Sequence, residues 1–147
     1  MTEIADINPE LENRIISIIE EGNRHEENKD YDKAILAYET AWDLIPEPKL
    51  NWTMISPWIC ACFLGAHMEK HSLLTAKKWA EMQLETPFSD IDVAPYFDIG
   101  MVCYELKQYS ESFYYFDKVF SMGKERPFKE RPKKYFDFYL SYKQNNS

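Results

Sequence analysis

Four side chains near the middle of the sequence have the types used for metal or nucleophile chemistry: Cys60, Cys62, His67 and His71. Two histidines four apart can share one helix face, as in zinc proteases of the His-Glu-x-x-His pattern. Here the intervening acid is Glu69, out of place for that pattern, and Ser72 marks a helix boundary beside the second histidine. Without a third ligand the pair is not a metal site. Cys60 and Cys62 are two apart, which puts their thiols on opposite sides of a helix, so they read as buried structural cysteines. No serine, cysteine or histidine lies in a nucleophile motif. Only four glycines are present, too few for a phosphate loop. The carboxylates scatter without an acid/base pair. No catalytic residue, metal or cofactor is expected.

Charge speaks instead for a protein partner. The net charge is −8. Met1 to Leu50 holds thirteen acids and five bases, while Lys124 to the end holds seven bases and three acids. An acidic body repels phosphate, which argues against nucleic acid; it favours encounter with a basic protein, or else serves solubility alone, and net charge supports both readings. The basic run KERPFKERPKK reads as a solvated loop before the last helix, free to pair with acids. Three cysteines make no disulfide framework, and MTEIADINPE lacks a secretory pattern, so a cytoplasmic location is the expectation. Leu50 to Met68 carries no charged residue, but Pro57 divides it and polar residues interrupt it. It reads as a central helix buried on most sides, not a membrane span.

These residues need elements to position them, and every strong signal is helical. Asn8-Pro9 is a cap followed by a proline at the first helical position. Leu11, Ile15, Ile18 and Ile19 then make one helical face. A second helix opens near Asp30 with Ala34, Ile35, Tyr38, Ala41, Trp42 and Ile45, and stops at Pro46 and Pro48. Pro46 to Ser56 is a loop containing Trp52. Helices follow from Ser56 to about Lys70 and from Ser72 to Glu85. Asp90 or Asp92 caps the next, which holds Pro95, Phe97, Met101 and Leu106. Ser110 to Met122 follows, with Gly123 as its stop. A short aromatic helix around Tyr135 and Tyr139 comes last. About seven helices in 147 residues predict an all-α chain of one domain.

Two stretches share a spacing. In the first, Gly22 is followed by Tyr31, Ala34, Tyr38, Ala41 and Pro46. In the second, Gly100, Tyr109, Ser112, Phe116 and Val119 keep the same offsets without the final proline. Small residues belong where two helices of a hairpin touch, and aromatics fill the space beside them. This order resembles the tetratricopeptide repeat, a helical hairpin of ~34 residues. The resemblance implies a helical-hairpin solenoid of about three repeats, roughly 10–46, 56–87 and 92–123, with a capping segment over 124–147. The middle repeat is degenerate, with Gly65 taken as its glycine.

The resemblance also implies protein binding on a concave surface, here formed by Asn23, Glu26, Glu27, Glu69, Phe97, Met101, Tyr104 and Glu105. An acidic, aromatic surface of this kind suits a partner offering Lys or Arg beside apolar groups; the alternative is that Phe97 and Met101 are ordinary core. Members that clamp chaperone carboxylates use basic residues. The matching positions here are Ile19, Asn23, Ala94 and Asp98, so that reading is rejected. The stretch YFDIGMVCYELKQYSESFYYFDKVF is similar in style to small bacterial tetratricopeptide proteins that act as immunity proteins against toxin domains. An adaptor or assembly chaperone holding peptide segments is the alternative. Oligomeric state is left open.

Overall fold

The computed structural model describes residues 3–146. Among the described residues the secondary structure is entirely helical. A 3-10 turn, Ile4–Asp6, precedes α1 (Pro9–Glu27), α2 (Tyr31–Leu44), α3 (Ile55–Glu69), α4 (Leu73–Leu84), α5 (Ala94–Glu105), α6 (Tyr109–Gly123), α7 (Arg126–Lys129) and α8 (Lys133–Asn145). The chain is thus all-α, as the periodicity predicts. It forms two compact units, Met1–Phe88 and Ser89–Ser147.

The first unit holds two antiparallel hairpins, α1–α2 and α3–α4. Asn8 caps α1 through its side-chain oxygen, which accepts from the Leu11 amide at 3.0 Å, and Pro9 opens the helix. Ile15, Ile19, Tyr38, Ile55, Ile59 and Phe63 form the core. Trp52 is also buried, so the Pro46–Ser56 loop belongs to this core. Its indole N–H donates to the Pro46 carbonyl at 2.9 Å, and Lys49 Nζ donates to the Trp42 and Ile45 carbonyls at 2.7 Å each. These bonds tie the loop to the C-terminal end of α2, where the Trp42 carbonyl also accepts from the Ile45 amide at 3.1 Å.

All three hairpins turn in one way. Lys29, His71 and Lys107 have φ of 61°, 58° and 63°, the left-handed conformation. In each turn the amide of that residue donates three residues back, to Glu26, Met68 or Tyr104. The next amide reaches His25, His67 or Cys103. This is the Schellman closure, and the residue after it (Asp30, Ser72, Gln108) begins the following helix.

The turn sets a common register for packing. Gly22 stands seven residues before Lys29, and Gly100 seven before Lys107. A Cβ on Gly22 would lie 2.5 Å from Tyr38 Cε1, and one on Gly100 2.6 Å from Phe116 Cε1. Each glycine therefore seats one aromatic ring. At the same position of the middle hairpin is Leu64, not Gly65, and at the position of the ring, nine residues after the turn residue, is Ala80. Both are buried. The large and small partners have exchanged helices, which corrects the assignment of Gly65. A Cβ there would meet only the Glu26 carboxylate, at 3.3 Å.

The second unit packs α5–α6 against α7 and α8. Phe97, Phe116, Phe128, Tyr135 and Tyr139 form its core. The basic run is folded, not a solvated loop: Phe128 is buried, with its ring 5.1 Å from Phe97 and 5.6 Å from Phe116. Gly123 ends α6, but the reversal of φ falls on Lys124. The glycine instead admits Pro127, whose Cγ would lie 2.7 Å from an added Cβ.

Candidate functional site

In the first unit the sequence periodicity of α1 turns Ile15, Ile19 and Gly22 inward. Asn23, Glu26 and Glu27 fall on the neighbouring flank. Facing them, α3 presents Trp58, Ala61 and Cys62 at helical spacing. The six residues line an open groove of about 450 Å³. Three of them were expected from the sequence. Trp58, Ala61 and Cys62 were not, because they lie in a helix apolar on nearly every side, where no stripe marks the exposed edge.

The groove floor is a polar network. The Tyr38 hydroxyl stands 2.7 Å from Asn23 Oδ1 and 2.8 Å from Glu26 Oε1, with one proton to donate to either. The Cys62 thiol donates to Asn23 Oδ1 at 3.5 Å. Burial raises the Glu26 carboxyl above its ordinary value. The Tyr38 hydrogen bond opposes that rise, and the Glu69 carboxylate adds to it. Glu69 in turn accepts from Tyr31 at 3.4 Å. Burial, reinforced by Glu26, pushes the Cys62 thiol up to about 12. Burial likewise pushes Cys60 up to about 12. Both stay protonated at neutral pH and are poor nucleophiles. Among the described residues no basic side chain pairs with Glu26, Glu27 or Glu69.

His67 and His71 part company. His67 is half-buried and stacks on Phe63, with ring centroids 6.4 Å apart. Burial holds it below its ordinary pKa, with Lys70 adding to the effect. His71 is exposed in the α3–α4 turn. Among the described residues no three His, Cys, Asp or Glu side chains group as metal ligands, and no helix is long and apolar enough to cross a membrane.

The remaining expected residues lie in the second unit, where the turn register explains their fates. Met101, Tyr104 and Glu105 occupy the positions of Asn23, Glu26 and Glu27. Phe97 matches Ile19, an inward position, and is 1% exposed. Its expected place on a binding surface is therefore corrected: it is core. Glu105 is engaged within the unit, accepting from Tyr135 Oη at 2.8 Å and pairing with Lys134 Nζ at 2.8 Å. Met101 Sδ and Asp98 Oδ1 both accept from Arg131, at 3.4 and 3.3 Å. Tyr104 lines a cleft of about 550 Å³ with Tyr109, Phe138 and Tyr142. No protein-family model matches the chain, and no curated protein matches it significantly in sequence.

Proposed function

We propose that the chain is a non-catalytic protein-binding module of tetratricopeptide type that recognises a basic partner through the α1–α3 groove. In its most specific form the reading is an immunity protein that binds and neutralises a basic toxin domain. One observation carries it: the net charge of the whole chain resides in the first unit. Met1–Phe88 has sixteen acids against eight bases, whereas Ser89–Ser147 has nine of each. The groove holds two of those acids, Glu26 and Glu27, which have no basic partner among the described residues, and Trp58 offers an aromatic face beside them. Charge arranged in this way steers a cationic partner and fixes its register. The Cys62 thiol that lines the groove stays protonated, in agreement with a site that binds without reacting.

Affinity purification of the intact protein from its own cells, at low and at high salt, tests the reading by mass spectrometry. A basic protein retained at low salt and released at high salt is expected. Recovery of no basic partner at low salt would count against it. Micromolar binding reproduced by a short peptide would instead favour the adaptor role.

A further inference from the structure

At one position of a shared register, both units carry a glutamate: Glu27 on α1 and Glu105 on α5. In the second unit, Lys134 Nζ lies 2.8 Å from the Glu105 carboxylate. It also sits 5.2 and 5.8 Å from the ring centroids of Tyr135 and Tyr104. A lysine is thus held between a carboxylate and aromatic faces, the arrangement that combines a charge-assisted hydrogen bond with cation–π attraction. Glu105 stands two residues before the left-handed turn residue, and Tyr104 three before it. In the first unit those positions are Glu27 and Glu26, and the aromatic face is Trp58 of α3. No lysine of the chain fills that place among the described residues.

We propose that the groove of the first unit receives one lysine side chain of the partner, its ammonium between Glu27 and Glu26 and its methylene stem along Trp58. The inference rests on the protein-binding reading above and names the group recognised. Two observations carry it: the chain's own lysine paired with Glu105, the residue at the register of Glu27, and a groove with an aromatic wall to cover an aliphatic stem. Gly65 contributes room. Because it has no side chain, the Glu26 carboxylate can lean over α3 and remain at the groove floor.

The test uses the full chain and a blocked Leu-Lys-Leu peptide as the probe, followed through the Trp58 indole N–H signal by NMR. A blocked Leu-norleucine-Leu peptide keeps the stem and removes the charge. A saturable shift of Trp58 by the lysine peptide is expected, with the norleucine peptide about tenfold weaker or worse. Glu27→Lys, at an exposed position that tolerates change, should abolish the response while leaving the other amide signals in place. Equal shifts from the two peptides would overturn the proposal, as would a response that survives Glu27→Lys. An arginine peptide binding as tightly would overturn the assignment of lysine. Absence of any Trp58 shift at millimolar probe would overturn the lysine site. The wider protein-binding reading is decided separately, by whether affinity purification recovers a basic protein.

Discussion

Glu26 shows how one residue joins stability to recognition. Its carboxylate is half-buried, accepts from Tyr38 and is repelled by the Glu69 carboxylate. Burial is the largest influence on it and raises its pKa above the ordinary 4.5. The folded state therefore holds this proton more tightly than the unfolded chain does. Stability from the group is fully present below the unfolded pKa and is lost as pH rises through the folded value. Glu26→Gln keeps an acceptor for Tyr38 and removes the charge. Its stability relative to the parent should thus be higher at pH 7 than at pH 4, read as the difference in urea midpoints at the two values. A difference that does not change with pH would show that the folded chain does not perturb this carboxyl. The charge that costs stability is the one proposed to meet the partner, a common trade at binding sites.

At the scale of the element, the repeated Schellman turn organises each hairpin. It fixes where the second helix starts, and so which residue meets Gly22 or Gly100. Three non-glycine residues adopt the left-handed conformation to make it, at a cost of about 1–2 kcal/mol each. All three are exposed, and their side chains are not needed for the closure. Lys29→Gly and Lys107→Gly should therefore stabilise the protein by about 0.5–1 kcal/mol, after the greater freedom of glycine in the unfolded chain is subtracted. Chemical denaturation would register this as a higher midpoint with an unchanged slope. A fall in midpoint would mean that the turn side chains contribute bonds beyond the backbone pattern.

The turn also shows what a sequence can and cannot disclose about such elements. Asn8-Pro9 was readable because a cap and a fixed φ are local properties. The first and third hairpins were readable because glycine against an aromatic leaves a distinctive pair of residues at a fixed offset. The middle hairpin escaped because Leu64 and Ala80 are ordinary residues, and their exchange of sizes leaves no signature. Phe97 was misplaced for a different reason. Periodicity puts it on a face of α5, but the cover that Phe116 begins is completed by Phe128 and Tyr135, far along the chain. The pairing of Arg131 with Asp98 is likewise set by packing between residues far apart in the chain.

At the scale of the molecule, each unit has its own buried core and its own glycine nest. Gly22 and Tyr38 belong to the first, Gly100 and Phe116 to the second. A methyl group added at either glycine would overlap an aromatic ring that is itself fully buried, so neither ring can swing away without disturbing its core. Gly22→Ala and Gly100→Ala should each cost about 1–3 kcal/mol, the range for overpacking a core. Gly65→Ala meets only a flexible carboxylate and should cost less. Because opening is governed by local packing, the loss should be regional. Native-state hydrogen exchange of Gly22→Ala should show faster exchange through α1 to α4, with α5, α6 and α8 close to the parent. Gly100→Ala should reverse the pattern. Uniform acceleration across both units in either variant would mean that the two cores open as one cooperative body, and that the division of charge between the units has no counterpart in their stability.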